Sequence, residues 1–128
     1  MLFNTSRLKY SDVQLDFVHE LSFAQAILDT VLKIAEENNA KKVLAIHVKL
    51  GELLLINPEQ LEFCFDVVSK GTIAEGAKLK IEFVKPKIVC TSCGKEFDEV
   101  IGICDCGGIV LVEGGKDMLL TKVEMEVE

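Results

Sequence analysis

Four cysteines in close pairs constrain this chain more than any other feature. In IVCTSCGKEFDEVIGICDCGG two residues separate Cys90 from Cys93, one separates Cys104 from Cys106, and a glycine follows each pair. Turns that bring two thiolate pairs together offer four soft ligands in the tetrahedral arrangement zinc takes at about 2.3 Å, and glycine lets the backbone curl beneath the sulfurs. A segment this short buries too little apolar surface to fold alone, so a bound metal would supply its folding energy. The spacing reads first as a structural Zn2+ site of Cys90, Cys93, Cys104 and Cys106. An iron site of similar geometry and a redox dithiol are the alternatives. Asp105, alone between the second pair, tightens that turn and makes Cys104 and Cys106 the less secure half. A four-cysteine site is closed, so catalysis at the metal is not expected. The fifth cysteine, Cys64, stands apart and reads as a small buried hydrophobe.

Helical and strand periodicities alternate around this module. Leu21, Ala24, Ile27, Leu28, Val31, Ile34 and Ala35 recur at three and four, which predicts a helix over 22–37, ended by a turn at Asn38, Asn39 and Ala40. KVLAIHVKL, 42–50, switches to period two, with Leu44, Ile46, Val48 and Leu50 on one face and Val43, Ala45, His47 and Lys49 on the other. In NPEQLEFCFDVVSKG, Asn57 is an N-cap, Pro58 the first helical residue and Gln60 the third after the cap, while Gly71 can end the helix left-handed. Its inner face is Leu61, Cys64, Phe65 and Val68. KLKIEFV and DMLLTKVEMEVE alternate again. The expected fold is α+β: a small three-stranded mixed sheet covered on one face by two helices, with the four-cysteine zinc-binding module inserted before the last strand. Residues 1–17 show no sustained periodicity and are expected to be irregular or only weakly structured; 18–84 with 114–128 are expected to form the two-helix domain, and 85–113 the module.

A length of 128 residues suits one core with a metal-stapled appendage. The net charge of −7 argues against a nucleic-acid partner, because such binding rests on Lys and Arg neutralising phosphates. No stretch reaches the roughly 18 apolar residues of a membrane span, and the N-terminal segment lacks the apolar core of a secretory signal. The chain is therefore expected in the cytoplasm, away from membranes, where paired cysteines favour metal over disulfides.

DFVHELSFAQ, 16–25, places His19 and Glu20 at the head of the first helix. Taken alone, Glu20 is a carboxylate favoured by the positive helix end, and His19 a local hydrogen-bonding residue. From residue 18 to near its C-terminus, however, the chain resembles the HypA family of hydrogenase nickel-incorporation accessory proteins. HELSFAQAI, VKLGELLLINPEQLEFCFDVVSKGTIAEGAKLKIEF and the paired cysteines followed by GGKDMLLTKVEMEVE carry the resemblance through their order and spacing. It implies a non-enzymatic nickel metallochaperone in which the two-helix domain holds Ni2+ as transferred cargo and the inserted domain holds structural Zn2+. Nickel then passes to the large subunit of [NiFe]-hydrogenase with the help of a HypB-type GTPase.

The resemblance also implies the site. Family members begin Met-His-Glu, so His19 is the implied nickel ligand and Glu20 the second. With His in second place, the α-amine, the His amide nitrogen and the imidazole close two chelate rings around a planar Ni(II); the amine, with a pKa of about 8, gives up its proton readily. This chain departs from the pattern, since Val18 stands where the family has its initiator methionine and 1–17 precede it. The expectation is that translation starts at Val18, read as methionine from a GUG codon; the alternative is a real extension with an altered nickel site. His47, Glu52 and Asn57 are weaker candidates for the site. The rival from another class is a zinc-ribbon adaptor or scaffold whose His19–Glu20 pair is inert. A nucleic-acid-binding ribbon is disfavoured because Glu96, Asp98, Glu99 and Asp105 offset Lys85, Lys87 and Lys95. An enzyme using Cys64 or His47 has no supporting motif.

Overall fold

A computed structural model describes residues 2–3, 6–9, 19–99 and 101–127. Along the chain lie β1 (Leu2–Phe3), β2 (Ser6–Lys9), α1 (His19–Glu37), β3 (Ala40–Gly51), α2 (Pro58–Val68), β4 (Lys78–Val84), β5 (Lys87–Cys90), β6 (Glu96–Phe97), β7 (Val110–Glu113) and β8 (Asp117–Val127). Helix α1 buries Phe23, Ala24, Ile27, Leu28, Val31, Ile34 and Ala35. It starts three residues before the expected Ser22, and Leu21 in its first turn stays exposed, because a side chain there leans past the helix start. Asn39 closes the helix at a φ of 55°, and the Asn38 side-chain amide donates to the Ile34 carbonyl at 2.7 Å.

The three long strands run in the order β8-β3-β4, antiparallel and then parallel, giving the expected mixed sheet under two helices. Strict alternation over 42–50 fails at Leu44. Val43 pairs with Met125 and Ala45 with Glu124, so Leu44 is an extra residue that bulges out. The bulge changes the phase: Val43 is fully buried, Leu44 is exposed, and Ile46, Val48 and Leu50 face the helices. One end of the chain also departs from expectation. Within 1–17, expected to be irregular, β1 and β2 pair antiparallel with β8. A strand laid on an edge is held by backbone bonds and needs no alternating pattern of its own. The remainder of that expectation, and the one for Val18, fall outside the described residues.

Helix α2 begins as its sequence dictates. Asn57 Oδ1 accepts the Gln60 N–H at 3.1 Å, and Pro58 occupies the first turn. Leu61 and Phe65 are fully buried, while Cys64 is only half-buried against the same core. Burial, with the Glu20 carboxylate adding to it, pushes the Cys64 thiol above its usual range.

Between β4 and β8 the chain enters a second, antiparallel sheet in the order β6-β5-β7, with its own cluster of Ile88, Cys90, Cys104 and Val110. The return path is clamped to the end of β3: Leu53 N–H donates to the Gly115 carbonyl at 2.9 Å. A Cβ on Gly51 would lie 2.2 Å from that same oxygen, so only glycine allows the approach. Gly51→Ala should therefore cost on the order of 3 kcal/mol by overpacking backbone against backbone. Urea denaturation measures it; a loss below about 1 kcal/mol would mean that the two segments part freely.

Candidate metal centre

The four paired cysteines converge. Their sulfurs all lie within 4.8 Å of one another, with Cys90 to Cys106 at 3.5 Å and Cys93 to Cys104 at 3.7 Å. Tetrahedral ligands at the zinc–sulfur distance stand about 3.8 Å apart, whereas disulfide sulfurs stand about 2 Å apart. Each pair sits on a turn its glycines permit. Gly94 takes a φ of 77° and donates to the Cys90 carbonyl at 3.1 Å; Gly107, at 89°, donates to that of Cys104 at 2.8 Å. Gly108 closes the cradle, since a Cβ there would meet Cys90 Sγ at 2.7 Å. The single residue between Cys104 and Cys106 thus leaves both sulfurs in reach of the first pair.

Charge makes the same point. The Cys93 N–H at 3.5 Å and the Ser92 N–H at 3.4 Å draw the Cys90 thiol down to about 6, against the opposing effect of burial. The Gly108 N–H pulls the Cys106 thiol down, but the neighbouring sulfurs of Cys90, Cys93 and Cys104 outweigh it and carry that thiol up to about 12. Four thiols so close cannot all ionise unless a cation sits among them. The donor set, its spacing and its glycine cradle fit a tetrahedral, thiolate-bound metal. Among the described residues these cysteines are the one group of three or more Cys, His, Asp or Glu side chains close enough to share an ion.

The head of α1 has a different character. His19 is exposed as the first residue of the helix, and Glu20 is half-buried. Glu20 Oε2 accepts the Asn57 N–H at 3.4 Å. Asn57 therefore caps α2 with its side chain while its backbone ties the head of α1 to the head of α2. Asn57, a weaker candidate for the site on sequence, is thus brought to Glu20 across a separation of 37 residues. Glu52 lines a cleft of about 280 Å3 with Lys85, Pro86, Ile88, Phe97 and Asp98, at the junction with the cysteine module.

His47 lines a small pocket that does not include His19, beside Lys49, Lys80 and Thr121. Its Nε2 is 3.1 Å from Glu124 Oε2. His47 holds the Glu124 carboxyl below the usual carboxylate range, with Lys122 and Lys80 assisting and burial opposing. A depressed folded-state value stabilises the fold above the unfolded value, near pH 4.3, and the benefit disappears as pH falls through the folded one. His47→Ala should raise the Glu124 value, and parent and variant should converge in stability once Glu124 is protonated in both. Carboxyl-detected NMR titration reads this directly; an unmoved Glu124 would show that the pair carries no energy.

Comparison with known proteins adds a family. Residues 18–125 match the family model described as hydrogenase/urease nickel incorporation, metallochaperone, hypA. A hydrogenase maturation factor HypA of Archaeoglobus fulgidus is 56% identical over 110 residues, covering 86% of this chain and 100% of that protein. Its namesake from Methanocaldococcus jannaschii is 42% identical over 123 residues, covering 87% and 99%. Among solved structures, the solution structure of the Ni metallochaperone HypA from Helicobacter pylori superposes with a TM-score of 0.62 at 23% identity, over 85% of this chain and 98% of that one. At that identity the likeness shows the fold.

Proposed function

The chain belongs to the HypA family of nickel-incorporation metallochaperones in hydrogenase maturation, and from that membership we propose that it carries Ni(II) at the head of α1 through His19. The supporting observation is the Glu20–Asn57 bond, which fixes the helix start while leaving His19 exposed. A cargo site must exchange its metal, so an exposed histidine suits delivery where the four-cysteine cluster suits retention. Where His19 is the second residue, amine, amide nitrogen and imidazole supply planar nitrogen donors. Glu20 uses one carboxylate oxygen to hold Asn57, and the reading assigns the other to nickel.

The nickel-binding unit is then 18–84 with 114–128, and 85–113 is a zinc unit in which Cys90, Cys93, Cys104 and Cys106 hold structural Zn2+ that supplies folding energy. The acceptor is the large subunit of [NiFe]-hydrogenase, the helper is a HypB-type GTPase, and the exchange takes place in the cytoplasm. No helix among the described residues is long and apolar enough to cross a membrane. The reading assigns no catalytic residue.

A reconstituted maturation assay tests it: the nickel-loaded chain, the GTPase and nickel-free large subunit are combined and nickel in the large subunit is counted. His19→Ala should lower transfer at least about tenfold, the effect of losing about 1.4 kcal/mol of binding. Undiminished transfer would favour the adaptor reading, in which His19 and Glu20 are inert.

A further inference from the structure

Strand β4 ends the sheet. It pairs in parallel with β3 on one side, in unbroken register from Ala45–Lys78 to Gly51–Val84, and among the described residues no strand pairs with its other side. A straight seven-residue edge without proline or bulge presents free N–H and C=O groups to any incoming strand. Lysines often blunt such edges, and Lys78 and Lys80 stand here. Glu82 changes what those lysines accept.

We propose that β4 pairs antiparallel with β4 of a second copy of this chain, about a two-fold axis at Ile81, making the sheet continuous through both copies. In that register each Lys80 faces Glu82 of the other copy, Leu79 faces Phe83, and Ile81 faces its equivalent. The neighbouring registers centred on a residue each carry a like-charge pair at the axis, although an axis at Lys80 also brings Lys78 opposite Glu82. An axis at Lys80 sets that lysine against itself, and an axis at Glu82 does the same with the carboxylate. An axis between residues would pair the lysine face with the apolar face. Lys80 lies 4.0 Å from Glu124 and Glu82 lies 3.7 Å from Lys49, but their side chains are 52% and 70% exposed and can turn to a second copy.

Apolar surface at the edge supports the same partner. Phe83 and Val84 are 43% and 37% exposed at one end of β4. Beside Leu79, near the other end, lies a cleft of about 330 Å3 also lined by Gly76, Ala77, Glu62 and Asp66. The Ile81 axis delivers Phe83 of the second copy opposite Leu79, at this cleft. The pairing is independent of the nickel reading.

Sedimentation equilibrium on the full chain tests the inference, with circular dichroism to confirm that each variant is folded. A concentration-dependent dimer is expected. Lys80→Glu and Glu82→Lys should each weaken it about tenfold, since each turns two cross-strand attractions into repulsions. The two substitutions together should restore dissociation to within about threefold of the parent. A parent that stays monomeric up to about 1 mM, a dimer indifferent to both single substitutions, or a double variant no tighter than the singles would each overturn the proposal.

Discussion

Cys90→Ser should strip the module of its metal while leaving the two-helix core intact. Cys90 is the buried sulfur that receives the N–H groups of Ser92 and Cys93 and stands 3.5 Å from Cys106. A serine hydroxyl is a hard, weakly acidic ligand and cannot replace that thiolate at a soft tetrahedral site. Metal binding at such sites is worth about 10–16 kcal/mol in isolated zinc-finger peptides, and the cluster of Ile88, Cys90, Cys104 and Val110 is too small to hold the segment without it. Hydrogen exchange across 88–110 should rise to near unprotected rates. The larger core shares no residue with that cluster, so α1, α2 and the main sheet should keep their protection. Elemental analysis showing zinc retained in both Cys90→Ser and Cys93→Ser would refute the assignment.

What could be read from the residues divides by the range of the interactions involved. Asn57-Pro58 announced α2 because a cap and a first-turn proline act within four residues, and the paired cysteines announced a metal cluster because their spacing sets the turns that carry them. Leu44 misled, because its direction is decided by pairing with β8 some eighty residues later, where Val43 meets Met125 and Ala45 meets Glu124. The strands at 2–3 and 6–9 carry no local signal for a related reason: an edge partner is recruited by backbone bonds to β8 that leave no hydrophobic period. The Glu20–Asn57 bond joins two helix starts that only the folded core brings together. His47 and Glu52 remained open candidates on sequence because nothing local says which face or cleft they join; the fold sends one to Glu124 and the other to the module junction.

His19→Ala should have the largest effect on cargo. Of the donors proposed for nickel, only the imidazole belongs to a side chain that the substitution removes, and with it goes one of the two chelate rings. A fall in affinity of about a hundredfold or more is expected. The four cysteines share no residue with this site, so zinc content should not change. The α-amine matters in the same way: in a chain that begins at Met1 it stands eighteen residues before His19 in sequence, so this form should bind nickel more weakly than one beginning at residue 18 with Met in place of Val18.

Calorimetric titration of nickel into that shorter form and into its His19→Ala variant tests the central claim most directly. Stoichiometric binding by the first and its loss in the second, with zinc unchanged in both, is the predicted result; equal nickel affinity in the two would contradict the site at the head of α1.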